Sequence, residues 1–274
     1  MRQVRLRGPS GVETGVVVDG TVVTEGGRHV EPRDQATLEL PEPYELLLPV
    51  EPAEVWCAGV TYERSRDARL EESSARDVYT LVYEAERPEL FLKDAGCRRT
   101  VGPGSPIGVR SDSSWNVPEP EIGVVLGTNG GLLGVTIGND VSSRDIEGAN
   151  PLYLPQAKVY AGACALGPAL LSPIPDEPLE IGMRIVDEAG SELFSGETST
   201  ARMKRSYAEL VEFLLRDNPV PPGSVLLTGT GLVPPDDFTL EPGHVVEIEV
   251  PGIGTLANPV VLASRLVERS TAHV

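Results

Sequence analysis

Lysine is scarce in this sequence. Of its 23 basic residues only three are lysines, namely Lys93, Lys158 and Lys204. Arginine stays protonated at any ordinary pH, whereas a buried lysine exchanges its proton when its surroundings lower its pKa. Each retained lysine is therefore a candidate for acid–base work, and the alternative is chance retention in a lysine-poor chain.

Cysteine and histidine are scarce as well. Three widely spaced cysteines without a Cys-x-x-Cys pair argue against a disulfide framework and against a zinc knuckle. The three histidines are His29, His244 and His273. The long stretch between the first two therefore lacks the side chain that most often serves as a general base.

Long apolar runs and excess positive charge are also missing. No stretch approaches the roughly 18 apolar residues that cross a bilayer, and the basic start of the chain leads into Gly8-Pro9 instead of the apolar part of a signal peptide. We therefore expect a cytoplasmic protein. The net charge of −18 argues against nucleic acid and anionic membranes as partners.

The first part of the chain has a β pattern. Short β-branched runs on both sides of Asp19-Gly20 predict a hairpin. We predict a small N-terminal β-rich domain at residues 1–49. The proline- and glutamate-rich residues 41–52 are typical of a linker.

The remainder, residues 55–270, is predicted to form the catalytic domain. It begins with a buried strand at residues 55–60 and a polar helix over residues 62–86, and it contains an amphipathic helix over residues 206–216. Elsewhere short apolar runs alternate with glycine and proline. The predicted fold class is α+β, mainly β.

The most informative segment runs from Glu119 to Asp140. Two apolar stretches flank Asn129-Gly130, a dipeptide that favours a two-residue hairpin turn. With these residues in the turn, Glu119 lies opposite Asp140, and opposed side chains have Cβ atoms about 4.5–5.5 Å apart. Glu121 shares a face with Glu119 because strand side chains alternate. The register therefore predicts that three carboxylates converge.

Converging carboxylates repel one another unless protons or a cation intervene. Oxygen ligands suit Mg²⁺ or Mn²⁺, and the absence of a nearby histidine disfavours Zn²⁺. The alternative is a solvated acidic end of a hairpin. A bulge at Pro120 or a longer turn would spoil the geometry.

At these residues the sequence resembles the fumarylacetoacetate hydrolase superfamily. The resemblance rests on the Glu-x-Glu strand at residues 119–121, Gly-Asn-Asp-Val-Ser-Ser-Arg-Asp at 138–145, Lys158 and Gly167-Pro168, with further similarity at 87–93 and 227–231. It implies a mixed β-roll core of the fumarylacetoacetate hydrolase type in a homodimer or homotetramer. It also implies that Glu119, Glu121 and Asp140 bind Mg²⁺ and that the substrate is a small 2-oxo acid.

One departure from the hydrolytic members bears on the reaction. Those members carry a histidine shortly after a tyrosine in the segment that matches residues 62–66, where this chain reads Tyr-Glu-Arg-Ser-Arg. The residues at 59–65, 87–89 and 145–153 resemble those of one branch of the superfamily, a group of dehydratases that also lacks this histidine. Its members remove water from 2-keto-3-deoxy-D-arabinonate and yield 2,5-dioxopentanoate in pentose catabolism.

For this branch the resemblance implies that Lys158 and Glu89 act as acid and base, in an order that it leaves open. Tyr62, Arg64 and the backbone around Thr230 are weaker candidates for substrate binding. We expect Arg144 and Asp145 to brace the loop behind Asp140.

Other functions stay open at this stage. Acylpyruvate hydrolysis, oxaloacetate decarboxylation and keto–enol isomerisation use the same type of metal site. A serine hydrolase is disfavoured because no Gly-x-Ser-x-Gly motif is present. The alternative of another class is a non-enzymatic acidic binding domain.

Overall fold

The chain is built mainly from β-strands, as predicted. The computed structural model describes residues 1–63 and 81–271. Its strands are β1 (Arg2–Gly8), β2 (Gly11–Val18), β3 (Thr21–Thr24), β4 (His29–Val30), β5 (Glu45–Leu46), β6 (Glu54–Gly59), β7 (Glu89–Ala95), β8 (Thr100–Val101), β9 (Ile107–Val109), β10 (Asn116–Val117), β11 (Pro120–Leu126), β12 (Leu132–Asp140), β13 (Ser142–Ser143), β14 (Cys164–Leu171), β15 (Glu180–Val186), β16 (Glu192–Ser199), β17 (Val225–Leu227), β18 (Val245–Val250) and β19 (Gly254–Leu262).

The helices are short. Within the described ranges the α-helices with both ends defined are α1 (Arg144–Ala149), α2 (Leu154–Lys158), α3 (Tyr207–Leu215) and α4 (Ala263–Thr271), and 3₁₀ segments occupy Thr128–Gly130, Pro151–Tyr153 and Thr200–Arg202. The prediction over 206–216 is confirmed by α3, whose first turn is capped by Ser206. None of the helices in this part of the chain is long and apolar enough to cross a membrane.

Most of the helix predicted over residues 62–86 cannot be compared with the structure. Residues 64–80 lie outside the described residues, while residues 81–84 are helical. The helix ends before Pro88, where β7 follows almost at once. This end agrees with the tendency of the residue before a proline to leave the helical conformation.

One large mixed sheet holds the site. Its main path is β4-β3-β2-β1-β14-β12-β11-β17-β6-β7, with β5 paired to β1 and β8 paired to β14. Most neighbours are antiparallel, but β17 runs parallel to β6. The β11–β12 hairpin thus lies inside the sheet, between β14 and β17.

The N-terminal strands continue this sheet. Asp19 and Gly20, with φ of 48° and 82°, form the predicted hairpin turn, and Val18 pairs with Thr21. β1 pairs with β14, and β5 pairs with β1 inside the stretch that is predicted as a linker. The domain boundary near residue 49 stays a prediction, and backbone hydrogen bonds join the two predicted domains into one sheet.

Both faces of the β11–β12 hairpin are covered. A second sheet, in the order β16-β15-β18-β19-β9, packs on one face, where Ile122 and Ile248 belong to the same hydrophobic core. The other face lies on a smaller cluster that includes Val125, Leu227 and Cys57. Side chains at the end of this hairpin are therefore held away from bulk water.

Candidate active site

The register of the β11–β12 hairpin brings the three predicted carboxylates together. Pro120 pairs with Asn139, and one step further the Asp140 N–H donates to the Glu119 carbonyl at 2.9 Å. The predicted register is confirmed. Carboxylate oxygens of Glu119, Glu121 and Asp140 lie within 4.8 Å of one another, and all three side chains are buried.

The turn of the same hairpin differs from the prediction. Residues 127–131 close it around a 3₁₀ segment in which Asn129 and Gly130 have positive φ of 57° and 74°. A register shift between Val125 and Leu126 absorbs the longer turn. Because the irregularity lies on the turn side of Val125, it leaves the pairing at the carboxylate end unchanged.

Buried basic side chains surround the carboxylates. The Lys158 ammonium donates to Glu119 Oε2 at 2.5 Å and to Asp140 Oδ2 at 3.0 Å. Lys93 forms an ion pair with the other oxygen of Asp140. The Arg144 guanidinium lies 3.1 Å from Glu119 Oε1. Glu119 and Asp140 are thus each in contact with two cations.

Glu121 has a different environment. Its Oε2 accepts a hydrogen bond from the Gly229 N–H at 2.6 Å. Burial, and then repulsion from Asp140 and Glu119, raise the pKa of Glu121 well above its ordinary value of 4.5. Gly229 has a φ of +90°, and a Cβ there would lie 2.0 Å from Thr61 Oγ1. Glycine is therefore required at the position whose N–H binds the Glu121 carboxylate.

Glu89 enters the same pocket from the neighbouring strand pair. It is the first residue of β7 and pairs with Gly59 of β6. A Cβ on Gly59 would lie 2.1 Å from Glu89 Oε2, so the carboxylate lies directly over the glycine. Phe91 follows two residues later, and its ring lies 5.8 Å from Lys158 Nζ. The side chains of Glu89 in β7 and Lys158 in α2 thus approach the same region beside the carboxylates.

One pocket joins these groups. Of the residues predicted from the sequence it is bordered by Glu89, Glu119, Glu121, Asp140, Lys158 and Thr230. Its other lining residues are Ala58, Gly59, Val60, Phe91, Arg144, Glu147 and Gly229. The structure therefore brings the predicted metal ligands and the predicted acid–base pair into one pocket, while their roles stay predictions.

The three substrate-binding candidates differ in position. Thr230 borders the pocket, and its hydroxyl donates to the Leu232 carbonyl at 2.9 Å. Tyr62 is buried against Gly231 and does not border this pocket, and burial raises the pKa of its phenol, which keeps it a hydrogen-bond donor. Arg64 lies outside the described residues. All three roles stay predictions.

The site contains three further residues, Lys93, Arg144 and Glu147, that the sequence did not identify as site residues. Lys93 stood out as a retained lysine, and its place in the strand of Glu89 was the signal that could have located it. Arg144, expected to brace a loop, contacts Glu119 and borders the pocket. Glu147 lies three residues after Arg144, a spacing that shares a helix face.

The histidines that the structure describes lie elsewhere. His29 is in β4, and His244 Nδ1 accepts a hydrogen bond from the Glu241 N–H at 3.2 Å. Neither borders the pocket, and His273 lies outside the described residues. Among the described residues the candidate acid–base groups of the pocket are therefore carboxylates and lysine.

Known proteins share both this fold and these segments. The fumarylacetoacetate (FAA) hydrolase C-terminal family matches residues 54–261, and the chain belongs to that family. It is 52% identical over 215 residues to a probable 2-keto-3-deoxyxylonate dehydratase of Haloferax volcanii, covering 78% of this chain and 74% of that one. It is 48% identical over 221 residues to the 2-dehydro-3-deoxy-D-arabinonate dehydratase of Saccharolobus solfataricus, covering 77% and 73%.

A solved structure agrees in overall shape. A 2-keto-3-deoxy-D-arabinonate dehydratase complexed with magnesium and 2,5-dioxopentanoate superposes with a TM-score of 0.83 at 36% identity, covering 95% of this chain and 98% of that one. The predicted superfamily and the predicted mainly β fold of its type are therefore confirmed.

Proposed function

We propose that this protein is a magnesium-dependent dehydratase that converts a 2-keto-3-deoxypentonate, such as 2-keto-3-deoxy-D-arabinonate, into 2,5-dioxopentanoate. The observation that carries the proposal is the single pocket that joins a buried carboxylate triad to Lys158 and Glu89. The two relatives at about half identity bear dehydratase names for substrates of this class. A small 2-oxo acid is the expected ligand.

The carboxylate triad fits a magnesium ion. Mg²⁺ takes oxygen ligands at about 2.1 Å in an octahedron, which places neighbouring ligand atoms roughly 3 Å apart and opposite ones roughly 4 Å apart. The oxygens of Glu119, Glu121 and Asp140 lie within 4.8 Å of one another. Burial and then repulsion from Asp140 and Glu119 raise the pKa of Glu121, and a cation would relieve the repulsion. These residues are the proposed ligands, with Mn²⁺ as an alternative ion.

Lys158 and Glu89 are the proposed proton-transfer groups. A bound magnesium ion would polarise the 2-keto oxygen of the substrate and so make its C3 hydrogen more acidic. One of the two residues removes that proton, and the other protonates the C4 hydroxyl, which leaves as water. The C3=C4 double bond then moves to C4=C5 by loss of a proton from C5 and gain of one at C3, and the resulting enol becomes the C5 aldehyde.

The composition of the pocket favours dehydration over hydrolysis. Hydrolysis of a C–C bond needs a base that activates water, and none of the described histidines borders the pocket. Dehydration instead needs a base and an acid at adjacent carbons. Lys158 and Glu89 supply two such groups from α2 and β7.

A product assay tests the proposal. Purified protein, Mg²⁺ and 2-keto-3-deoxy-D-arabinonate are coupled to an aldehyde dehydrogenase that consumes 2,5-dioxopentanoate, with and without EDTA. We expect aldehyde formation that EDTA abolishes and added Mg²⁺ restores. No product from a protein that binds Mg²⁺ would contradict the proposal and favour decarboxylation or hydrolysis of another 2-oxo acid.

The oligomeric state is proposed from family precedent, and the cellular location is proposed from the sequence pattern. We propose a homodimer or homotetramer that works in the cytoplasm. Tyr62, Arg64 and Thr230 are proposed to hold the anionic substrate. Sedimentation of the purified protein tests the assembly.

A further inference from the structure

Lys93 is a charged residue of the interior to which the proposed chemistry assigns no task. Its side chain is fully buried and does not border the pocket. The pairing of β6 with β7 shifts register between Val55 and Trp56, which places Lys93 in a bulge. A bulge interrupts the alternation of a strand and redirects a side chain. Lys93 and Asp94 are accordingly both buried although they are consecutive.

The redirected Lys93 side chain reaches one oxygen of Asp140. Its ammonium forms an ion pair with Asp140 Oδ1 and donates to the Val141 carbonyl at 3.0 Å. Lys158, which borders the pocket, contacts the other oxygen of Asp140, Oδ2, at 3.0 Å. The two oxygens of this carboxylate therefore have different surroundings, since Oδ1 faces a lysine outside the pocket lining and Oδ2 faces the pocket side.

The other two carboxylates of the triad follow the same pattern. Glu119 Oε1 lies 3.1 Å from the Arg144 guanidinium. Glu121 Oε2 accepts a hydrogen bond from the Gly229 N–H at 2.6 Å. In each carboxylate of the triad, one oxygen is thus held by a donor of the protein. The arrangement favours an ion that takes a single oxygen from each carboxylate.

The number of oxygens that a carboxylate offers affects which ion it binds. Mg²⁺ is small and requires nearly octahedral geometry, which single oxygens from separate carboxylates satisfy. Ca²⁺ is larger, takes about six to eight oxygens and often binds both oxygens of one carboxylate. A carboxylate that already uses one oxygen in an ion pair with a buried lysine is restricted to the first of these patterns.

We propose that Lys93 makes the carboxylate triad selective for Mg²⁺ over Ca²⁺, because it holds Asp140 Oδ1 and so restricts Asp140 to one ligand oxygen. Lys93 is in this sense a positioning residue that acts through Asp140. The inference rests on the metal site of the proposed function, since it takes the triad as the ligands. It does not depend on which reaction the protein catalyses.

Calorimetric titration with magnesium chloride and with calcium chloride tests the proposal. The protein is first treated with EDTA and dialysed, and the readout is the ratio of the Kd for Ca²⁺ to the Kd for Mg²⁺. Both ions carry the same charge, so the purely electrostatic effect of removing a lysine cancels in this ratio. A loss of stability leaves the ratio unchanged as well, because only the folded protein offers the site.

The variant Lys93→Met removes the ammonium and keeps an unbranched side chain. We expect the Kd ratio to fall about tenfold, because Asp140 can then offer both oxygens to Ca²⁺. An unchanged ratio in this variant would overturn the proposal. If Lys93→Met does not fold, the wild type still gives a decision. It should bind Mg²⁺ more tightly than Ca²⁺, and tighter binding of Ca²⁺ would contradict the proposal.

Tyr160→Phe is the matched control. The Tyr160 hydroxyl donates at 3.3 Å to the Val141 carbonyl, the same acceptor that Lys93 uses. The substitution removes this donor, but it keeps the aromatic ring beside Lys93 and the ion pair with Asp140. We therefore expect an unchanged Kd ratio. A fall as large as that in Lys93→Met would assign the selectivity to the support of the Val141 carbonyl and overturn the role of Asp140 Oδ1.

The same titrations separate this inference from the proposed function. If the protein binds Mg²⁺ but does not dehydrate the pentonate, the proposed reaction fails while the Kd ratio still decides on Lys93. If dehydration occurs and the ratio does not respond to Lys93→Met, only the role of Lys93 fails. If neither ion binds, the proposed metal site and the role of Lys93 both fail.

Discussion

Asp94 and the carboxylate triad show how differently one protein holds buried negative charge. Asp94, 1% exposed, accepts hydrogen bonds from the backbone N–H groups of Arg98, Arg99 and Thr100 at 2.8–3.2 Å and from the Thr100 hydroxyl at 2.7 Å. Every one of these donors lies within six residues of Asp94. Its charge is therefore satisfied by a single local loop.

The carboxylate triad is instead assembled from residues far apart in the sequence. Glu121 and its donor Gly229 are 108 residues apart, and Lys158 lies 39 residues from Glu119. Repulsion between the carboxylates persists, since it is one cause of the raised pKa of Glu121. The local hydrogen bonds of Asp94 thus stabilise the fold, whereas the triad retains repulsion that a bound cation would relieve.

The largest expected effect concerns the chemistry beside the triad. Lys158→Met and Glu89→Gln should each lower kcat by at least about a hundredfold, as is typical of the removal of a general acid or base. Magnesium affinity, measured by calorimetry, should remain, because the three carboxylates stay in place. Lys204→Met is the matched control, since Lys204 contacts Glu84 at 3.2 Å, away from the pocket.

A loss of magnesium binding in both variants would reverse this interpretation. Lys158 and Glu89 would then organise the triad instead of transferring protons. A kcat that falls equally in the Lys204 variant would point to a general loss of folded protein, which thermal melting detects.

The next effect is a contrast in stability between Asp94 and Glu121. Asp94→Asn should lower the free energy of unfolding by about 2–3 kcal/mol, because hydrogen bonds to a charged acceptor contribute roughly 1.5–3 kcal/mol each, and it should leave magnesium binding intact. Glu121→Gln should raise the free energy of unfolding of the metal-free protein by about 1 kcal/mol, because repulsion is removed. Urea denaturation in EDTA measures both values.

The same two variants should respond to magnesium in opposite ways. Added Mg²⁺ should stabilise Asp94→Asn as it stabilises the wild type, since a ligand of the folded state shifts the unfolding equilibrium. It should stabilise Glu121→Gln much less. A destabilised Glu121→Gln that still responds fully to Mg²⁺ would place Glu121 in the same structural class as Asp94.

The contrast between contacts within a local segment and contacts between distant elements also explains which parts of the site could be predicted from the sequence. The hairpin register follows from two apolar stretches and a central Asn-Gly, so Glu119, Glu121 and Asp140 could be placed together. The predicted two-residue turn is wrong because the turn spans residues 127–131 and contains a 3₁₀ segment at Thr128–Gly130. Its extra residue was absorbed by a register shift next to Leu126, and no periodicity in the sequence indicates such a shift.

The sequence pattern does not predict contacts between elements that are far apart in the chain. Lys158 and Glu89 entered through family resemblance, since no spacing links α2 to the start of β7. A side chain at Gly59 would collide with the Glu89 carboxylate, and one at Gly229 would collide with Thr61 beside the N–H that binds Glu121, but each is one of 29 glycines. Only the packed structure shows which glycines allow a charged side chain to come close.

The smallest expected effect is a pH dependence of stability that Glu121 causes. Because the folded-state pKa of Glu121 is raised above 4.5, the folded protein binds more protons than the unfolded chain between these two pKa values. The contribution of Glu121 to stability is therefore fully present below pH 4.5 and is lost as the pH rises through the folded-state pKa of this residue.

In EDTA, the free energy of unfolding of the wild type should thus fall relative to that of Glu121→Gln between about pH 5 and the raised folded-state pKa of Glu121. With saturating Mg²⁺ the slope should flatten or reverse, because the ion binds only the deprotonated carboxylate and competes with protons. Urea titrations of both proteins at several pH values measure the difference. A wild type that runs parallel to Glu121→Gln in EDTA would mean that repulsion within the triad is already relieved without a cation.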